Sequence, residues 1–251
     1  MNNKIIVANW KMNPPTVKEA GVLFSDISSL AKNLKGKTVV ICPPYPFLFI
    51  SQKLKNKKII LGAQDISSFS SGAFTGEVSP KMLKDMGVRF VIAGHSERRS
   101  LGETDKIINE KISNSLKHKL SVILCVGEKD RDHDGKYLSF VEKQIKNCLN
   151  DITKPQLKNI IIAYEPVWAI GKNAVREATV EEFTEMRIFI RKVISDLYDS
   201  KVAHAIPILY GGSVNVENAK EFMEKGGADG LLVGRDSLNS KRFVGIINLI
   251  K

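Results

Sequence analysis

Eight short runs of aliphatic and β-branched residues recur along the chain, and they constrain its fold more than any other feature. They are Lys4–Ala8, Thr38–Cys42, Ile59–Ala63, Phe90–Ala93, Ser121–Val126, Ile160–Tyr164, Ile206–Tyr210 and Leu231–Val233. Each is close to continuously apolar rather than alternating, the pattern of strands covered on both faces in a parallel sheet. Helical stripes lie between them. Thr16-Val17-Lys18-Glu19 has the spacing of a capping box and precedes Ala20, Leu23, Phe24, Ile27, Leu30 and Leu34. Thr179-Val180-Glu181-Glu182 repeats that signal before Phe183, Met186, Ile190, Val193 and Leu197. Ile107, Ile108, Ile112 and Leu116 form a third stripe, and Leu138, Val141, Ile145 and Leu149 a fourth. We read these stripes as core-facing, with packing as their role.

Parallel strands need right-handed crossovers, and eight strand–helix units in 251 residues fit an α/β fold, a single closed (β/α)8 barrel of eight parallel strands surrounded by helices, spanning residues 1–251 as one domain. The competing architecture is an open doubly wound sheet. That fold carries a glycine-rich phosphate loop after its first strand, whereas this chain continues Asn9-Trp10-Lys11-Met12-Asn13. The barrel is the expectation.

Composition narrows the function classes. With 43% hydrophobic and 26% charged residues the chain is ordinary for a globular protein, and no apolar run reaches the ~18 residues of a membrane span. Met1–Ala8 lacks the apolar core and cleavage site of a secretory signal. Cys42, Cys125 and Cys148 are too far apart for a zinc motif and fit unpaired thiols. A cytoplasmic location without membrane contact is expected. The net charge of +11 favours anionic partners, but its lysines are scattered, as in Lys53–Lys58 and Lys117–Lys119, with no interleaved aromatics. A solvated lysine-rich surface is therefore expected, with no nucleic-acid partner.

In such barrels the chemistry gathers where strands end, at their C-terminal edge. Strand one ends in Asn9 and Lys11, strand four in Gly94-His95-Ser96-Glu97-Arg98-Arg99, strand five in Gly127-Glu128 and strand six in Glu165. Strand two, ending in Pro43-Pro44, contributes little. Glu165 is followed by Pro166, which cannot extend a ladder, and then by the apolar stretch Val167-Trp168-Ala169-Ile170-Gly171. An apolar loop beside a carboxylate is suited to closing over it and excluding water. A helix starting near Ser96 would disfavour a charged imidazole at His95, leaving a neutral donor able to polarise a carbonyl. Lys11 is placed to meet a substrate anion and Glu97. Arg98 and Arg99 are expected to brace loops through ion pairs, and His118, His133 and His204 to lie on the surface. Gly211-Gly212-Ser213 and Gly234-Arg235, after strands seven and eight, stand where barrels build phosphate sites from backbone N–H groups. No metal-ligand cluster, Walker loop or Ser-His-Asp arrangement competes, so proton transfer without metal or cofactor is the expected chemistry.

These strings resemble one family in order and spacing across the whole chain. Asn9–Asn13, Gly62–Gln64, Phe74–Pro80, Gly94–Arg99, Cys125–Lys129, Tyr164–Gly171 and Tyr210–Val214 resemble triosephosphate isomerase. The resemblance implies a TIM barrel that interconverts dihydroxyacetone phosphate and D-glyceraldehyde 3-phosphate through an enediolate, in glycolysis and gluconeogenesis. It implies Glu165 as the base, His95 as the electrophile and hydroxyl-proton shuttle, and Lys11 with Asn9 steadying charge, Glu97 positioning Lys11. It further implies phosphate held by Asn9, Lys11, Gly171, Ser213, Gly234 and Arg235, under a lid of Pro166, Val167, Trp168, Ala169, Ile170 and Gly171. A homodimer is implied too, with Gln64, Thr75, Gly76 and Glu77 in the loop that docks on the partner.

Two departures stand out. The family commonly has Gly-Gly where this chain reads Gly234-Arg235, and only a backbone N–H is required there. After Gly171, the family's usual Thr-Gly-Lys-Thr-Ala-Thr-Pro is replaced by Lys172-Asn173-Ala174-Val175-Arg176-Glu177-Ala178-Thr179-Val180. Retained chemistry with altered lid closure is expected. A different phosphate-binding barrel enzyme and an inactive barrel serving as a binding protein are the alternatives. Neither is expected to carry the His95 and Glu165 strings together with Lys11.

Overall fold

The computed structural model describes residues 3–31, 34–53, 59–171, 174 and 176–250. Its strands are β1 (Lys4–Asn9), β2 (Lys37–Cys42), β3 (Ile59–Ala63), β4 (Phe90–Ala93), β5 (Ser121–Val126), β6 (Ile160–Tyr164), β7 (Ile208–Tyr210) and β8 (Gly230–Val233). All neighbours pair in parallel in sequence order, and β8 closes onto β1 with Ile5 opposite Gly230. The expected closed barrel is the observed one.

Alternate residues of each strand belong to two separate cores, which is why the runs read as continuously apolar. Ile5 and Val7, Val40 and Cys42, Ile123 and Cys125, Ile161 and Ala163, Leu209 and Leu232 fill the barrel interior. Ile6 and Ala8, Val39 and Ile41, Val122 and Leu124, Ile162 and Tyr164 pack outward against the helices. Burying one such aliphatic side chain contributes about 1.5–3 kcal/mol. The interior parity carries forward to the rim: two residues beyond Ala163 stands Glu165, and two beyond Val7 stands Asn9.

The helices are α1 (Val17–Leu30), α2 (Pro80–Asp85), α3 (Ser96–Ser100), α4 (Asp105–Lys117), α5 (Lys136–Cys148), α6 (Val180–Leu197), α7 (Ser200–Ala205), α8 (Ala219–Glu224) and α9 (Ser240–Leu249). The Thr179 capping box is complete: Glu182 N–H donates to Thr179 Oγ1 at 3.2 Å and Thr179 N–H to Glu182 Oε2 at 2.8 Å. At Thr16 only half forms, because the Glu19 carboxylate accepts from the Thr16 hydroxyl instead of the backbone. The stripes face the core through their middle turns and depart from expectation at their ends. Leu30, Ile107 and Leu197 are exposed, and Leu34 is buried beyond the end of α1. Strand seven starts at Ile208 because Ile206 still closes the last turn of α7 and Pro207 has no N–H for a ladder. No helix among the described residues is long and apolar enough to cross a membrane.

Candidate active site

A cavity of about 560 Å³ opens at the C-terminal rim of the barrel. Asn9, Lys11, His95, Glu165, Ala169, Ile170, Gly171, Ser213, Gly234 and Arg235 line it. The polar residues singled out at strand ends one, four, six, seven and eight thus converge on one space.

Glu165 stands at its floor, 2% exposed. Its Oε2 accepts from the Ser96 N–H at 2.9 Å. Its Oε1 makes no hydrogen bond among the described residues and faces His95 Nε2 at 3.2 Å. Two glycines make room for the Glu165 backbone and side-chain stem. A Cβ on Gly127 would lie 1.8 Å from the Glu165 carbonyl oxygen, and one on Gly211 would lie 3.1 Å from Glu165 Cγ. These are close-approach glycines whose role the sequence shows only as turn propensity.

His95 reaches the floor by a different route. Ile92 points inward, so simple alternation would turn His95 outward, and Gly94 in the left-handed region (φ +71°) redirects the chain. His95 caps α3, and its Nδ1 accepts from the Glu97 N–H at 3.2 Å. A ring nitrogen that accepts carries no proton, so the neutral ring holds its proton on Nε2, facing Glu165.

Lys11 also sits in the left-handed region (φ 54°), a strained setting for a side chain that persists only where surroundings over-determine it. Here its N–H donates to Asn9 Oδ1 at 3.0 Å and its carbonyl accepts from Gln64 Nε2 at 2.8 Å. Its Nζ meets Glu97 Oε1 at 2.6 Å. Gln64, grouped in sequence with the docking loop, therefore turns inward and fixes Lys11. Thr75, Gly76 and Glu77 are exposed away from this cavity, and Glu77 lines a separate groove of about 760 Å³ with Phe69 and Phe74.

Arg98 and Arg99 are braces, as expected. Arg98 Nε donates to Glu103 at 2.7 Å, and Arg99 reaches the Gly94 carbonyl at 2.7 Å and Asp105 at 2.6 Å. His133 and His204 are exposed, while His118 is half-buried at the end of α4. The three cysteines are buried and unpaired, and burial together with the Glu165 carboxylate pushes the Cys125 thiol well up.

The triosephosphate isomerase family model matches residues 4–250. The chain belongs to the triosephosphate isomerase family. It is 43% identical over 250 residues to the triosephosphate isomerase of Dictyoglomus thermophilum, covering 98% of this chain and 99% of that one. The enzyme of Clostridium botulinum strain Okra is 43% identical over 251 residues, covering 99% and 100%. That of Borrelia garinii subsp. bavariensis is 44% identical over 253 residues, covering 99% of each. The expectation of an isomerase of this family is borne out.

Residues 166 to 171 run on from Glu165 and bring Ala169, Ile170 and Gly171 into the cavity wall, and their first half is tied down by buried contacts. Trp168 is buried, and its Nε1 donates to Glu128 Oε1 at 2.8 Å; the Tyr164 hydroxyl donates to the same oxygen at 2.7 Å. Glu128 was visible only as a strand-end acid, since its partners lie 36 and 40 residues away. Burial raises the Glu128 carboxyl, with the two donors pulling it back down. The Ser213 hydroxyl donates to the Ala169 carbonyl at 2.7 Å, joining the loop to the end of β7. On the other side, Arg176 stacks 4.5 Å above the Trp168 ring and makes a two-pronged pair with Glu182 at 2.9 and 2.5 Å. Of the replaced stretch, Lys172, Asn173 and Val175 lie outside the described residues.

Proposed function

We propose that this single-domain chain interconverts dihydroxyacetone phosphate and D-glyceraldehyde 3-phosphate without metal or cofactor, in the glycolytic and gluconeogenic reactions of the cytoplasm. The observation that carries the reading is the facing pair on the cavity floor, Glu165 Oε1 and His95 Nε2 at 3.2 Å. The carboxylate oxygen has no hydrogen bond to give up, and the imidazole presents its proton.

In this reading a substrate carbonyl accepts from His95 Nε2–H while Glu165 removes the proton from the adjacent carbon. The C–H electrons become the enediolate π bond, and negative charge develops on the oxygen, which His95 and the Lys11 ammonium stabilise. His95 moves the hydroxyl proton between the two oxygens, and Glu165 returns its proton to the neighbouring carbon. Asn9 contributes by holding Lys11, and Glu97 by pairing with it. The backbone N–H groups of Gly171, Ser213, Gly234 and Arg235 bind the phosphate, with Pro166–Gly171 covering it. A homodimer is part of the proposal: Met12, Phe69, Phe74, Met82 and Leu101 are exposed apolar side chains, and burying them between two copies is favourable.

A coupled assay starting from dihydroxyacetone phosphate tests the reading. Turnover is expected in the unaltered protein, and Glu165→Gln is expected to lose roughly 10²–10⁴-fold in kcat, the range of a positioned general base. Full activity in Glu165→Gln, or none in the folded unaltered protein, overturns it.

A further inference from the structure

The charged side chains that line the catalytic cavity are not equivalent. Lys11 is matched by Glu97 at 2.6 Å, and Asp236 by Arg242 at 2.8 Å. Arg235 also lines the cavity, is exposed, and opens the short 3₁₀ turn Arg235–Leu238 at the end of β8. Among the described residues no carboxylate lies within ion-pair reach of its guanidinium; neighbouring Asp236 is taken by Arg242, and Glu165 and Glu177, the other acids on the wall, are beyond that reach. The position adjoins Lys11, since a Cβ on Gly234 would lie 3.4 Å from Lys11 Cε. Among the described residues the cavity wall therefore holds one cation, Arg235, that no carboxylate pairs with. It stands at the strand end that supplies the phosphate-binding backbone.

We propose that the Arg235 guanidinium is a binding and steering group for the substrate's phosphate dianion, supplementing the N–H of the same residue; this rests on the isomerase reading above. Backbone N–H groups offer partial charges at fixed points, and they serve any residue type at 235. A guanidinium adds a full charge and a planar pair of donors that matches two phosphate oxygens. Because Lys11 spends its charge on Glu97, the approaching dianion meets its unmatched positive partner at Arg235. Charge of this kind acts on encounter and on ground-state binding together.

Arg235→Gln keeps a side chain of similar length and a non-glycine backbone while removing the charge, and Arg235→Lys restores charge without the fork. The measurements are KM and kcat for dihydroxyacetone phosphate, competitive inhibition by inorganic phosphate, and the slope of kcat/KM against ionic strength. Arg235→Gln is expected to raise KM and the phosphate inhibition constant on the order of tenfold, as for one charge-assisted hydrogen bond, with the smaller effect on kcat. The ionic-strength slope is expected to flatten, and Arg235→Lys to recover part of both. Unchanged KM and phosphate inhibition in a folded, active Arg235→Gln protein overturn this proposal while leaving the isomerase reading intact. Absence of turnover in the unaltered protein, with Arg235-dependent phosphate binding retained, instead removes the isomerase reading alone.

Discussion

The two attachments of the loop over Glu165 are built from opposite materials. The N-terminal attachment is buried: one Glu128 oxygen accepts from both Tyr164 and Trp168, in a site where Glu128 is 1% exposed. The C-terminal attachment is at the surface, where Arg176 pairs with Glu182 and stacks on the outer face of the Trp168 ring, with the Arg176 side chain 51% exposed. Water and salt reach the second and not the first. A hydrogen-bond acceptor shared by two buried donors is costly to remove, because both donors then lose their partner without regaining water. An exposed ion pair is worth about 0.2–1 kcal/mol and is screened. A loop held this way would turn on a fixed hinge at one side and an adjustable one at the other, although both grip the same tryptophan.

The largest expected effect follows from the buried side. Glu128→Ala leaves the Tyr164 hydroxyl and the Trp168 N–H unpartnered, and each such group costs about 1–3 kcal/mol. Thermal unfolding is expected to drop by roughly 10 °C, since a domain of this size loses about 2–4 °C per kcal/mol. A drop no larger than that of a surface substitution would show that the buried attachment has no special weight and would erase the contrast.

The barrel itself was legible because its strands are short, apolar on both faces and regularly spaced. Even the placement of Glu165 follows from counting by twos along β6 from Ile161 and Ala163. His95 resists that count, since its orientation depends on the backbone angle of Gly94. Glu128 and Gln64 were named but their jobs were hidden, because each acts on residues far away in the chain: Glu128 on Tyr164 and Trp168, Gln64 on Lys11 and Cys42. Local pattern reports which face a residue is on. It does not report which distant donor finds it. The same limit explains Leu30 and Leu197, which continue an apolar stripe past the point where another element covers it.

Acidity separates the two attachments by sign. Burial holds the Glu128 carboxyl above the ordinary glutamate range, so the folded state keeps its proton more tightly than the unfolded chain does. The stability it contributes is fully present below the ordinary range and is lost as pH rises from there through the raised folded-state value. Arg176 holds the Glu182 carboxyl below the ordinary range, so its contribution is present above that range and fades as pH falls through the folded-state value. Measured as Tm differences from the unaltered protein, Glu128→Gln is expected to cost most in mild acid and less toward neutrality. Arg176→Gln is expected to behave in the reverse sense. Parallel pH trends for the two variants would mean that the attachments do not differ in the way their surroundings require.

The smallest stability effect, and the most specific kinetic one, is expected at the exposed hinge. Arg176→Gln removes the Glu182 pair and the stacking on Trp168, while leaving the Thr179–Glu182 capping box to hold the start of α6. The loss is expected to stay below about 1 kcal/mol, and to shrink further in 1 M salt, where screening acts over about 3 Å. Turnover is the sharper readout. If the surface attachment is what the loop releases in each cycle, freeing Arg176 changes how strongly kcat depends on solvent viscosity, and high salt reproduces that change in the unaltered protein. If viscosity dependence is identical in both proteins at low and high salt, the adjustable hinge is only a surface pair. The burden of holding and releasing the loop then falls on the hydrogen bonds of Glu128 and Ser213, which are not exposed ion pairs.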